Sequence, residues 1–150
     1  MTIAAAEKAK MQYSAIVLGA TGNVGGQIVQ FLIKNPLCNR MVIVTRRKTE
    51  ALTDPKLSEV LVNMDRLEEE IASRAQGVDL ALAAFGVGKG SAKMPEAEVR
   101  KIEIAYPQAF CRAAKAGGAR VCGVMTAVGQ LQHAERSRLC HATTGLGPAI

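Results

Sequence analysis

The stretch YSAIVLGATGNVGGQIVQFLIK, residues 13–34, decides the fold. Its first seven residues, 13–19, form a short apolar run rich in branched side chains, which is typical of a buried parallel strand. Residues 23–34 predict an amphipathic helix, which ends at Asn35 because the residue before a proline avoids helical geometry. The predicted buried stripe of this helix consists of Val24, Ile28, Phe31 and Leu32.

Strands and helices continue to alternate after this unit. Further strands are predicted at residues 41–45, 59–63, 78–84 and 119–125, and further helices at 65–75 and 95–116. We expect a kink at Pro107, whose ring removes one backbone hydrogen bond, and a left-handed helix end at Gly117-Gly118. Stacked βαβ units predict a three-layer α/β domain with a parallel sheet covered on both faces.

Length and composition are those of one globular domain. The chain has 150 residues, of which 49% are hydrophobic and 21% charged. We interpret residues 1–12 as a flexible arm, 13–129 as the domain and 130–150 as an irregular tail. The alternative for the arm is an organelle transit peptide, which Glu7 and the absence of Arg and Ser disfavour. No apolar run approaches the roughly 20 residues of a membrane span. With only two Tyr, three Phe and no Trp, the core is expected to be aliphatic.

The net charge of +6 suggests an anion site rather than a nucleic-acid surface. The basic residues are scattered, and the aromatic platforms that bind single-stranded nucleic acid are missing.

The strongest motif is a glycine turn of pattern G-x-x-G-x-x-G between the first strand and the first helix. In this context it predicts a dinucleotide diphosphate at the helix N-terminus, the alternative being a turn without ligand. The turn consists of Gly19, Ala20, Thr21, Gly22, Asn23, Val24 and Gly25.

A second motif follows the second strand. Thr45 is followed by Arg46, Arg47 and Lys48, which we call the basic loop. Enzymes that prefer NAD usually carry an acidic residue here, whereas arginine suits the 2′-phosphate of NADP. Arg46 could also stack on the adenine. The alternative interpretation is a solvated basic loop without a ligand.

Two further positions are candidates for cofactor contacts. Asp65 follows the third strand, where a carboxylate could accept a hydrogen bond from the adenine amino group or could cap the next helix. Ala84, Phe85 and Gly86 end the fourth strand, and ligands of such sheets lie beyond the carboxyl ends of the strands. We therefore expect these three residues near the cofactor ribose.

The glycine turn, the basic loop and the block from Val78 to Gly129 resemble the atypical short-chain dehydrogenase/reductase superfamily, in its NmrA-like and HTATIP2-like oxidoreductase branch. The resemblance covers residues 13–129 and implies a Rossmann fold with strand order 3-2-1-4-5. It also implies NADP(H) bound through the glycine turn and Arg46. The hydroxyl that the family places after the fifth strand would be Thr126 here, as a candidate catalytic residue.

The chain departs from the family after this point. No Tyr-x-x-x-Lys pair follows, and residues 130–150 do not resemble the family's continuation. We interpret the chain as truncated after the fifth strand, or as alternatively spliced or frame-shifted. Two function classes follow: an NADPH-dependent oxidoreductase acting on an unknown small molecule, or a non-catalytic NADP(H)-binding sensor. A truncation would expose the fifth strand, so a homodimer through that edge is expected.

The remaining reactive side chains point to neither a metal site nor a hydrolase. Cys140, His133 and His141 lie in the tail without the converging ligands that a metal needs. Ser91 and Thr126 lack a His-Asp partner. Cys38, Cys111 and Cys122 are expected to be free thiols, the last two buried. This cysteine pattern, with no secretory signal, favours a reducing compartment, and we expect a cytoplasmic protein.

Overall fold

The computed structural model describes residues 11–50, 52–88 and 93–125. Its centre is a parallel five-stranded sheet of order β3-β2-β1-β4-β5, as the resemblance implied. In chain order the strands are β1 Tyr13–Leu18, β2 Cys38–Thr45, β3 Leu57–Leu61, β4 Leu80–Ala83 and β5 Val121–Val124. Neighbouring strands of this sheet pair in parallel, although the described residues between β2 and β3 form no helix.

Helices cover both faces of the sheet. They are α1 Asn23–Lys34, α2 Leu67–Ile71, α3 Glu96–Arg100 and α4 Tyr106–Ala116. The helix predicted at 65–75 is shorter than expected, since a 3₁₀ turn, Met64–Arg66, precedes α2 and turns follow it. No helix among the described residues is long and apolar enough to cross a membrane.

Two apolar cores lie on opposite faces of the sheet because side chains alternate along each strand. Ile16 and Leu18 of β1 contribute to the core beneath α2 and α4, whereas Ala15 and Val17 contribute to the core beneath α1. The cores are mainly aliphatic, as expected from the composition. Phe110, fully buried on α4, is the largest side chain in them.

The predicted buried stripe of α1 is wrong in part. Val24 and Phe31 are 47% and 67% exposed, whereas Gly25, Val29 and Leu32 are buried. The helix is rotated because Gly25 packs against the backbone of the turn before it. That close contact turns the face of positions 25, 29 and 32 toward the sheet.

The long helix at 95–116 is continuous but irregular. A π-helical turn, Lys101–Ala105, joins α3 to α4 immediately before Pro107. The wider turn accommodates a residue without a backbone N–H, and the irregularity expected at the proline takes this form. At the helix end only Gly118, with φ of +104°, is left-handed. Gly117 has φ of −77°, so that part of the prediction is wrong.

Cys38, Cys111 and Cys122 are free thiols, as expected. Cys38 and Cys111 are buried, but Cys122 on the edge strand β5 is only partly buried, contrary to the prediction. Interaction with the Cys111 thiol as a hydrogen-bond donor lowers the pKa of Cys122 to about 7, and the same interaction raises the pKa of Cys111.

Cys122 should therefore be alkylated at lower pH than an ordinary thiol. Below its pKa a thiol is a poor nucleophile, so the labelling rate with iodoacetamide should reach half of its maximum near pH 7, rather than near about 8.5. Peptide mass mapping separates Cys122 from the other cysteines. A half-maximal rate at pH 8.5 or above would show that Cys111 does not stabilise the Cys122 thiolate.

Candidate functional site

The glycine turn packs tightly against the sheet at two of its three glycines. Gly19 follows β1 with φ of +86°, and a Cβ there would lie 2.7 Å from the carbonyl carbon of Ala84. A Cβ on Gly25 would overlap the carbonyl group of Gly19, at 2.7 Å from its carbon. These positions therefore require glycine for the fold itself, whether or not a ligand is bound.

Gly22 differs from these two, because a Cβ at this position would not collide with the rest of the protein. A Cβ there would meet its nearest atom, the Gly19 carbonyl oxygen, at 3.5 Å, which is ordinary van der Waals contact. Gly22 is exposed and precedes α1 as its N-cap. The absence of a side chain at this exposed position is what a diphosphate needs in order to approach the backbone.

The N-terminus of α1 carries the features of an anion site. Among the described residues no side chain caps it, and its first turn holds no acidic residue. The first N–H groups of a helix have no partner within the helix, and the helix dipole adds partial positive charge there. The flanking residues Thr21, Asn23 and Val24 are exposed.

A cavity of about 300 Å³ joins the glycine turn to the basic loop. Gly19 and Thr21 line one side, and Arg46, Arg47 and Lys48 line the other. The remaining turn residues that we predicted, from Gly22 to Gly25, do not line this cavity. No salt bridge among the described residues engages Arg46 or Arg47. Their positive charges are therefore available to an anion.

A second cavity of about 640 Å³ lies between the end of β3 and the long helix. Arg46, Met64 and Phe85 line both cavities, and Tyr106 and Lys101 line the second. The guanidinium of Arg46 lies 5.9 Å from the centre of the Phe85 ring, within cation–π range. The planar guanidinium of Arg46 and the ring of Phe85 therefore border the space shared by the two cavities.

The fourth-strand residues that we predicted near the ribose have different surroundings. Phe85 lines both cavities. Ala84 is buried, and its carbonyl packs against Gly19. Gly86 is exposed and lines neither of these cavities.

Asp65 does not cap the helix that follows it. Asn63 is the N-cap of the 3₁₀ turn, where its side chain accepts a hydrogen bond of 3.0 Å from the Asp65 backbone N–H, and no side chain among the described residues caps α2. The Asp65 Oδ1 atom instead lies 2.6 Å from Lys101 Nζ and accepts a 2.8 Å hydrogen bond from the Tyr106 hydroxyl. Lys101 and Tyr106 lower the pKa of Asp65. The capping interpretation is wrong, and Asp65 connects the end of β3 to the long helix.

Glu59 on β3 is a site residue that the sequence analysis missed. Its Oε1 atom accepts three hydrogen bonds of 2.9 Å, from Thr45 Oγ1, Thr49 N and Thr49 Oγ1. Partial burial opposes ionisation, but these hydrogen bonds hold the pKa of Glu59 below its ordinary value. The sequence signal was a single charged residue in an otherwise uncharged strand, separated from the basic loop by ten residues or more.

Several predicted residues lie outside the described part of the chain. These are Ser91, Thr126, Cys140, His133 and His141, together with residues 1–10 of the predicted arm and the whole predicted tail, 130–150. Within the described residues, no three His, Cys, Asp or Glu side chains are grouped as a metal ion would require.

The chain is similar to two curated proteins. It is 31% identical over 118 residues to "Protein FMP52, mitochondrial" of Candida albicans, which covers 77% of this chain and 51% of that protein. It is 30% identical over 126 residues to the protein of the same name from Lodderomyces elongisporus, covering 79% and 52%. The chain thus spans about half the length of these relatives. No protein-family model matches it.

Solved structures share the fold at low sequence identity. Uronate dehydrogenase from Agrobacterium tumefaciens superposes with a TM-score of 0.63 at 15% identity, covering 78% of this chain and 41% of that one. UDP-glucuronic acid 4-epimerase from Bacillus cereus, in complex with NAD, gives 0.63 at 13%, covering 85% and 51%. The chain therefore has the α/β Rossmann fold of these nucleotide-sugar and uronate enzymes, and it is similar to FMP52 over about half of that protein.

Proposed function

We propose that this chain binds NADP(H) between the glycine turn and the basic loop. The observation that carries the proposal is the 300 Å³ cavity, which brings Gly19 and Thr21 to Arg46, Arg47 and Lys48. The diphosphate would bind the free N–H groups of α1 beside Gly22. The 2′-phosphate would bind the basic loop, where planar guanidinium groups can form paired hydrogen bonds with phosphate.

The second cavity suits the adenine ring. Arg46 and Phe85 offer flat surfaces on which a base can stack. The contacts of Asp65 with Lys101 and Tyr106 both involve Oδ1. In this proposal Oδ2 accepts a hydrogen bond from the adenine amino group. The adenine role predicted for Asp65 thus stays a prediction, supported by its contacts with Lys101 and Tyr106, which line this cavity.

For the whole protein we propose an NADPH-dependent oxidoreductase acting on a small molecule, with NADPH supplying a hydride when bound. The Rossmann fold and the similarity to FMP52 support this proposal, and Thr126 stays the predicted catalytic residue.

A non-catalytic NADP(H)-binding module is the second candidate. It is favoured by the Tyr106 hydroxyl, which donates to Asp65, with its pKa raised by burial and by that carboxylate. A raised pKa makes this phenol a weaker proton donor.

Turnover separates the two candidates. The chain would be mixed with NADPH and a panel of quinones, flavins and aldehydes, and NADPH oxidation followed by absorbance. Oxidation that is lost in Thr126→Ala while NADPH binding is kept supports the oxidoreductase. Binding without oxidation of NADPH by any member of the panel supports the binding module.

Arg46→Asp should weaken NADPH binding far more than NADH binding. The aspartate would remove a guanidinium and place a negative charge beside the 2′-phosphate, so we expect the NADPH dissociation constant to rise about 100-fold. NADH lacks that phosphate and should change by less than about threefold. Arg74→Asp, which makes the same charge change at an exposed residue outside both cavities, is the control. Equal losses for both coenzymes would contradict the proposed site.

Partners and location stay proposals. Val121 of β5 is 56% exposed and β5 is an edge of the described sheet, which supports the proposed homodimer through this strand. We expect no nucleic-acid or membrane partner. The free thiols favour a reducing compartment such as the cytoplasm, whereas both FMP52 relatives carry the word mitochondrial in their names.

A further inference from the structure

We propose that Glu59 is a positioning residue that holds the basic loop in the shape that recognises the 2′-phosphate. The inference rests on the proposed function, since it concerns the same site. It assigns coenzyme preference to a residue that lines neither of the two cavities and carries the same sign of charge as the ligand.

The Glu59 carboxylate contacts the residues that flank the basic loop on both sides. β2 pairs with β3 so that Ile43 lies opposite Glu59 and Thr45 opposite Leu61. Glu59 and Thr45 therefore share one face of the sheet as diagonal neighbours. Thr45 is the last residue before the basic loop, and Thr49 is the first residue after it. The Glu59 Oε1 atom accepts hydrogen bonds from both residues, so one carboxylate oxygen joins the two ends of a three-residue segment.

These hydrogen bonds restrict the segment that carries the charges. Arg46, Arg47 and Lys48 are exposed, and of their side chains only the Arg46–Phe85 stacking and the attraction of Lys48 to Glu59 are seen among the described residues. Without Glu59 the Thr49 end of the loop would lose the hydrogen bonds of its backbone N–H and its hydroxyl, whereas Thr45 would stay paired in the sheet through its carbonyl oxygen. Binding a phosphate would then require the loop to be ordered at the same time, which costs conformational entropy.

The sign of the expected effect distinguishes positioning from simple electrostatics. A carboxylate near a phosphate repels it, so removing Glu59 would strengthen NADPH binding if charge alone mattered. If Glu59 positions the loop, its removal weakens NADPH binding despite the loss of a negative charge. The two explanations therefore predict opposite changes in affinity.

The binding experiment compares Glu59→Ala and Glu59→Gln in the full chain by calorimetric titration with NADPH and NADH. We expect Glu59→Ala to bind NADPH about tenfold more weakly, the size typical of lost hydrogen bonds to a charged group. NADH binding should change by less than about twofold. Glu59→Gln keeps an oxygen acceptor of the same shape and should restore most of the preference. Glu50→Ala is the control, since it removes an exposed carboxylate beside the same loop.

Limited trypsin digestion provides a readout that needs no coenzyme. Trypsin cleaves after arginine and lysine, so a released loop should be cut after Arg46, Arg47 or Lys48 about tenfold faster in Glu59→Ala. Glu59→Gln and Glu50→Ala should be cut at the rate of the unmodified chain.

The two readouts separate failure of this inference from failure of the proposed function. Unchanged or tighter NADPH binding by Glu59→Ala, or an unchanged cleavage rate, overturns the positioning role. If the unmodified chain binds neither coenzyme, the proposed function fails and the specificity role fails with it. In that case, faster cleavage would still show that Glu59 orders the loop.

Discussion

Gly25→Ala is expected to destabilise the chain by about 3 kcal/mol, near the upper end of single-substitution effects. The added Cβ would overlap the carbonyl group of Gly19, lying 2.7 Å from its carbon. Both groups belong to the backbone, so no side chain can rotate to relieve the overlap. α1 would have to move away from β1, which would open the buried contacts of Val29 and Leu32.

Thermal unfolding followed by circular dichroism measures this effect. For a chain of this length, a loss of about 3 kcal/mol corresponds to a fall in Tm of about 10 °C. Gly26→Ala is the matched control, because its Cβ would meet the Ala20 carbonyl oxygen at 3.6 Å, an ordinary contact. Alanine is also the better helix former, so this control should melt at or above the Tm of the unmodified chain. A Tm of Gly25→Ala equal to that of the unmodified chain would contradict the tight packing of the turn.

Gly22→Ala is expected to leave the fold intact and to abolish most coenzyme binding. The methyl group meets nothing closer than 3.5 Å, and alanine as an N-cap costs at most about 1 kcal/mol. The same methyl group would cover the exposed backbone that we propose the diphosphate approaches. We expect the NADPH dissociation constant to rise at least about 30-fold, with NADH affected equally, since both coenzymes contain the diphosphate.

Calorimetry with both coenzymes and a melting curve for each variant test this prediction together. Gly26→Ala again serves as the control and should bind as the unmodified chain does. Unchanged affinity in a folded Gly22→Ala variant would show that no diphosphate lies at this turn. A severe loss of stability would show that Gly22, like Gly25, serves the fold.

The sheet was predictable because its signals are local. Each strand is a short apolar run, each crossover contains a helical or turn pattern, and the glycine turn identifies the first unit. The sequence therefore located all five strands within a few residues, and the resemblance implied their order. Boundaries shifted where pairing extended a strand, as in β2, which begins at Cys38 rather than at residue 41.

Features that depend on contacts between distant residues were not predictable. The prediction of the buried face of α1 was wrong in part, because the close packing of Gly25 on Gly19 outweighs the apolar stripe of Val24 and Phe31. Asp65 was predicted only as a cofactor ligand or a helix cap. Its actual partners, Lys101 and Tyr106, lie more than thirty positions away in the sequence, so local patterns did not reveal them. Glu59 reaches the basic loop through the register of β2 on β3, which spacing along the chain does not reveal.

A calorimetric titration of the unmodified 150-residue chain with NADPH and NADH tests the central claim most directly. We predict that NADPH binds with one site per chain, and that NADH binds at least about tenfold more weakly because it lacks the 2′-phosphate. Failure of both coenzymes to bind, or equal affinity for the two, would contradict it.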